Sequence, residues 1–168
     1  MKRRSLLSAS VLASVAGCTS AFGTDDAGPG SVRVEVDATT GSDDLEVAAA
    51  DRNGLVDHGE RGELELEVTN ATDDDLVFEA APFPADLALT LEGETDGDAS
   101  LSLERVEEPG STVAPGETRG GVYEFEYDKE TTARDEYGGT ISSPYERDGE
   151  TATLETELRL TLTGIVPD

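Results

Sequence analysis

Tryptophan is absent from this 168-residue chain, and cysteine, histidine and methionine occur once each. A lone cysteine, Cys18, excludes an internal disulfide, so no covalent staple holds the fold. With one histidine, His58, and one cysteine, a zinc site has no ligand set, because such sites draw on several nitrogen or sulfur donors. Four Phe and four Tyr are the only aromatics, which leaves few of the ring platforms that sugar-cleaving enzymes use. Basic residues are scarce as well: 12 Lys+Arg stand against 38 Asp+Glu, for a net charge of −26. That balance excludes nucleic-acid binding, which needs basic patches to displace counterions from phosphates. No apolar run approaches the ~20 residues of a membrane-spanning helix.

What the chain does have begins at its N-terminus. Lys2, Arg3 and Arg4 precede an apolar segment from Leu6 to Ala16, and Val15-Ala16-Gly17-Cys18 closes it. A charged start, a short apolar core and small residues at the end make an export signal over residues 1–17. The run ending in Cys18 resembles the lipobox of prokaryotic lipoproteins, in which the thiol takes a lipid and becomes the first residue of the mature chain. Arg3-Arg4 before Ser5-Leu6-Leu7 resembles the twin-arginine signal for export of folded proteins. The resemblance implies attachment to the outer face of the cell membrane through a two-chain lipid on Cys18, which is enough for stable anchoring. Residues 18–30 then read as the lipidated cysteine and a small, polar, glycine-rich tether.

Removal of residues 1–17 takes three basic residues and no acidic ones, so the imbalance deepens and Lys129 is the only lysine left. In dilute salt such a charge repels itself and destabilises a compact state. At molar salt the Debye length falls to about 3 Å and the repulsion is largely screened. An acidic, lysine-poor chain with this signal looks like a secreted lipoprotein of a halophilic archaeon.

From Ser31 onward a period of two recurs. Val32, Val34 and Val36 alternate with Arg33 and Glu35; Leu64, Leu66 and Val68 alternate with acids from Glu63 to Glu67. Leu76, Phe78 and Ala80 follow, then Leu87, Leu89 and Leu91, then Leu101 and Leu103. Tyr123, Phe125 and Tyr127 alternate with Glu124 and Glu126, and Leu154, Leu158, Leu160 and Leu162 form the last long run. Such alternation predicts strands with one buried and one solvated face. No stretch carries a helical apolar period, and Leu45 to Ala50 fits a short helix or a strand equally. Turn signals separate the runs: Asp73-Asp74-Asp75, Gly93 to Asp98, Pro109-Gly110 and Ala114-Pro115-Gly116. Seven or eight short strands at this spacing predict a single all-β domain over residues 31–168, an antiparallel β-sandwich. The acidic composition also suits a disordered chain, but the sustained alternation argues for a fold.

Two features carry a family resemblance. The strand from Glu63 to Thr69-Asn70 leads through an acidic turn into Leu76-Val77-Phe78, and Val113-Ala114-Pro115-Gly116-Glu117 leads into Tyr123-Glu124-Phe125. In this order they are similar to immunoglobulin-like modules, and loosely to the intracellular proteinase inhibitor family of bacilli, over residues 60–128. The resemblance implies an immunoglobulin-like fold. No inhibitory loop matches, so no activity comes with it.

Four groups of residues are candidates for function. Along Asp51 to Glu60, Gly54 takes the sharp-turn position of a calcium loop, with Asp51, Asn53, Asp57 and Glu60 at ligand positions. Ala49 stands where the first ligand should be, and a plain turn before a strand explains the same residues. Asn70-Ala71-Thr72 is an N-glycosylation acceptor pattern, and Asn70 also suits a turn. Asp128 to Glu150 lacks alternation and reads as a long loop or irregular hairpin. Its Arg134, Tyr137, Tyr145 and Arg147 are of the types that anchor partner-binding loops. His58 reads as an exposed loop residue, and no nucleophile-elbow sequence supports a Ser-His-Asp triad. These observations point to a non-catalytic, lipid-anchored binding module whose partner is an extracytoplasmic protein or solute. The alternative is an accessory lipoprotein that handles a metal or solute through residues 51–60.

Overall fold

The computed structural model describes residues 30–93, 100–127 and 134–165. Its elements are eleven strands and no helix among the described residues: β1 (Val32–Thr40), β2 (Leu45–Asp51), β3 (Leu55–Val56), β4 (Arg61–Asn70), β5 (Leu76–Phe78), β6 (Asp86–Leu91), β7 (Ser100–Arg105), β8 (Thr112–Val113), β9 (Thr118–Glu126), β10 (Arg134–Arg147) and β11 (Glu150–Gly164). All pairs are antiparallel, and they form one curled sheet in the order β2-β4-β9-β7-β6-β10-β11-β1-β3. β5 pairs with β10 and β8 off this path. The expected seven or eight strands therefore become eleven. β3 and β8 are two residues long, too short to show a period, and β10 carries no sustained alternation.

The expected facing holds wherever the alternation is long. Val32, Leu64, Leu66, Val68, Leu76, Tyr123, Leu154, Leu160 and Leu162 are fully buried, and most of the residues between them face outward. Ser31, Val122 and Thr161 depart from this, being buried beside inward neighbours, and so does Ala80, which is exposed because β5 ends at Phe78. Leu45 to Ala50 forms a strand, because its partner β4 supplies the ladder from Leu45↔Asn70 to Asp51↔Leu64. Gly62 lies opposite Phe125, and a Cβ there would sit 2.3 Å from the Phe125 ring. The missing side chain is what lets the ring cover the strand.

The segment Asp128 to Glu150 is corrected most. Its described part, Arg134–Arg147, is a 14-residue strand that pairs with β11 from Arg134↔Thr163 to Arg147↔Glu150. Asp148 and Gly149, at φ 51° and 79°, make the two-residue turn between them. Both central residues at positive φ match the twist of the flanking strands.

The ladder gives the domain two distinct ends. Val32 pairs with Gly164 and with Val56, so the chain enters the sheet at the end that holds β3 and the start of β10. Thr40 lies at the other end of β1, about 27 Å away at 3.4 Å per residue. The turns after β1, β4, β8 and β10 gather at that far end.

One buried cation pins a connection to the core. The Arg105 side chain is only 9% exposed; its Nη1 donates to the Phe83 carbonyl at 2.5 Å and its Nη2 lies 3.7 Å from Glu108. The Tyr123 hydroxyl donates to the Pro84 carbonyl at 2.6 Å beside it. Burial pushes the Tyr123 phenol up to about 12 from 10.0, with the Arg105 charge opposing. The folded chain thus keeps this phenol neutral where the unfolded chain ionises it. Its stabilising share is complete below the unfolded value of 10.0 and disappears as pH climbs towards about 12.

Two measurements check this architecture. In denaturant titrations at constant high salt, Leu66→Ala lowers stability by about 2–5 kcal/mol, and Glu65→Ala changes it by less than about 0.5 kcal/mol. Alkaline titration followed by circular dichroism gives a fall in stability above pH 10.0, and Tyr123→Phe makes that fall shallower.

Candidate functional site

Asn70 ends β4 at the far end of the domain and is only 1% exposed. Its Nδ2 donates to the carbonyls of Asp74 at 2.7 Å and Val113 at 2.9 Å. Its Oδ1 accepts from the Thr72 amide at 2.9 Å and the Thr72 hydroxyl at 2.8 Å. The backbone joins in: Asn70 N–H donates to Glu117 O at 3.0 Å, and Gly116 N–H donates to Asn70 O at 2.9 Å. Ala71 N–H reaches Asp44 O at 2.9 Å. One amide side chain therefore holds the β4–β5 turn against β8. In the folded chain both amide hydrogens of Asn70 are spent and the group is buried, the arrangement of a turn residue.

Arg147 fastens the same end from β10. Its Nη1 meets Asp44 at 2.9 Å and its Nε meets Asp74 at 3.0 Å, so it bridges the β1–β2 and β4–β5 turns. Tyr145 lies on the inward face at 3% exposure and donates its hydroxyl to Asp44 at 3.1 Å. Burial raises the Tyr145 phenol above its usual range; the Ser42 hydrogen bond opposes this, and Asp44 adds to it. Ala114 N–H donates to the Glu117 carboxylate at 2.9 Å and tightens the turn after β8. Four turns are thus stitched into one rim.

The partner-binding candidates do not converge. Tyr137 is 6% exposed and Tyr145 3%, so both are core residues and not exposed anchors. Arg134 pairs with Glu136 at 2.8 Å near the end where the chain enters, and Arg147 lies at the opposite end of the same strand. Of the two readings, a long loop or an irregular hairpin, the described part takes the hairpin, with its aromatics turned inward.

Residues 51–60 also lie near the end where the chain enters, folded as two turns around β3. An Asp51 carboxylate oxygen accepts from Gly54 N–H, and Gly54 has φ 70°. Asn53 Oδ1 accepts from Glu63 N–H at 2.6 Å. Asp57 accepts from the Ser31 hydroxyl, and its carbonyl accepts from Glu60 N–H at 2.9 Å. His58 and Glu60 are exposed. Among the described residues no group of three or more His, Cys, Asp or Glu is placed to hold a metal ion. The side-chain oxygens of Asp51, Asn53 and Asp57 each accept a hydrogen bond from elsewhere in the chain, from Gly54, Glu63 and Ser31 in turn. Cys18, Arg3 and Arg4 lie outside the described residues.

Beside the rim is a hollow of about 520 Å³ that sequence reasoning missed. It opens on the outer face of the sheet, where Thr39 of β1 and Thr140 of β10 flank Glu157 of β11 in register. Thr153 and Glu155 extend the row along β11, and Thr40, Gly41 and Ser42 form its lip. The Thr40 hydroxyl is committed to Glu155 O at 3.0 Å, and the Ser42 hydroxyl accepts from Asp44 N–H at 3.2 Å. Those of Thr39, Thr140 and Thr153 make no hydrogen bond among the described residues. No basic side chain lines the hollow, and nearby Arg159 is held by Glu92 at 3.2 Å. Its only sequence signal is the threonine-rich outward face of β11, which alternation reads as plain solvated surface.

Compared with known proteins, the chain matches no family model, and no curated protein matches its sequence. Geometry and sequence carry the functional reading alone.

Three variants test these turns. Asn70→Asp keeps the shape but sets acceptors against the carbonyls of Asp74 and Val113; denaturant titration shows a loss above about 2 kcal/mol. Arg147→Ala, whose ion pairs are solvent-screened, loses less than about 1 kcal/mol. Asn53→Ala lowers the melting temperature in calcium-free buffer, as removal of a turn acceptor must. A residue acting only as an ion ligand lowers it only with calcium present.

Proposed function

We propose that this chain is a lipid-anchored, extracytoplasmic, non-catalytic binding module of immunoglobulin-like type, exported by a halophilic archaeon. The observation that carries the reading is the polarity of the domain. The segment bearing Cys18 precedes β1, so a lipid there anchors the end that holds β3. The stitched rim then points away from the membrane, about 27 Å further out.

A rigid rim suits recognition, because turns already held in place lose little entropy when a partner docks. The strongest pKa shifts do not converge on a cleft. Those of Arg61 and Arg147 come from ion pairs, and those of Tyr123 and Tyr145 from burial. Each has a structural cause, which favours a binding module over an enzyme.

The test is a photocrosslinker placed on intact cells at Asp43, in the far turn, or at Glu60, near the anchored end. Capture of another macromolecule from Asp43 and not from Glu60 supports the reading; the reverse pattern contradicts it. Mass spectrometry of the membrane fraction should find a mature chain beginning with diacylated Cys18, and Cys18→Ser should release the protein.

A further inference from the structure

We propose that the hollow above Gly41 is a binding site for a neutral polyhydroxylated ligand the size of a mono- or disaccharide. The proposal deepens the binding-module reading and rests on it. Its volume of about 520 Å³ falls within the range of small-molecule sites, roughly 300–1,000 Å³. Glycine at position 41 is not required by the backbone, which has no positive φ there, and a Cβ would meet nothing within 4 Å. Position 41 is therefore a lining position at which a larger side chain can be introduced without a clash at its Cβ.

The lining decides the ligand class. Thr39, Thr140 and Thr153 offer hydroxyls with no partner among the described residues, and each can donate and accept. Glu155 and Glu157 add carboxylates that only accept, and no ion pair ties either one down among the described residues. The complement must supply several hydrogen-bond donors along the strand and accept some in return. Vicinal hydroxyls do both.

A cation fits less well. The two carboxylates stand two residues apart on one strand, their Cα atoms separated by about 7 Å. A third acidic or nitrogen ligand is missing, since no metal-holding group occurs among the described residues. At molar salt a site that works by charge alone is screened within about 3 Å, whereas hydrogen bonds to hydroxyls are not. The hollow also joins the rim: the Ser42 hydroxyl at its lip accepts from Asp44 N–H, and Asp44 is clamped by Arg147. A ligand seated there would lie at the membrane-distal end.

The test is amide NMR of the ¹⁵N-labelled chain at constant molar KCl, titrated with D-glucose, D-mannose, D-galactose and sucrose, and separately with spermidine. At least one sugar should move signals of Thr39 to Ser42, Thr140 and Thr153 to Glu157, and Gly41→Phe should abolish those shifts. Glu155→Gln with Glu157→Gln should keep them, because an amide oxygen still accepts from a hydroxyl. The proposal is overturned if no sugar moves these signals, if Gly41→Phe leaves them unchanged, or if only spermidine moves them. Crosslinking from Asp43 separates the two levels. Capture without any sugar shift sinks the hollow and leaves the module standing; sugar shifts without capture leave the hollow standing and remove the macromolecular partner from the module reading.

Discussion

Everything in this molecule depends on burying one face of each strand while the other stays charged. With no disulfide available and no tryptophan, stability comes from leucine, valine and a few aromatics closing over each other. At about 25 cal/mol per Å² of apolar surface, that burial opposes both chain entropy and the self-repulsion of a net charge of −26. The outward acids contribute nothing to the interior, but they hold water and counterions at the surface. Salt weakens that repulsion, because it shortens the distance over which exposed charges interact.

A curled sheet of this kind separates its two ends. At one end the chain enters β1 and residues 51–60 form turns that support the β1–β3 pairing. At the other, Asn70 and Arg147 convert four flexible turns into a fixed rim. The two devices differ in strength. Asn70 is buried and fully hydrogen-bonded, so it determines shape. Arg147 is partly exposed, so it orients the turns more than it stabilises them. Together they hold the turns of the rim in one arrangement.

Much of the fold was legible where hydrophobic alternation is long. Leu64-Leu66-Val68 and Tyr123-Phe125-Tyr127 face inward as their spacing predicts. β10 was hidden because Gly139 and Ser143 interrupt its inward row, and Pro144 sits on its outward face. Asp148-Gly149 was the overlooked signal, a dipeptide suited to a two-residue hairpin. β3 and β8 form because a neighbouring strand offers a ladder, and no local pattern announces them. Asn70 looked like an exposed acceptor because its burial arises from a turn after β8, more than forty residues along the chain. The hollow was illegible for a similar reason: Thr39, Thr140 and Glu157 meet only through register.

The central claim is the period-two division of side chains between a dry interior and solvent. Cysteine scanning along β11 in concentrated KCl, on a chain with Cys18 replaced, measures it residue by residue. The account predicts fast thiol labelling at 155, 157 and 159 and protection at 154, 158 and 160. Uniform labelling, or protection recurring every three to four residues, would contradict it.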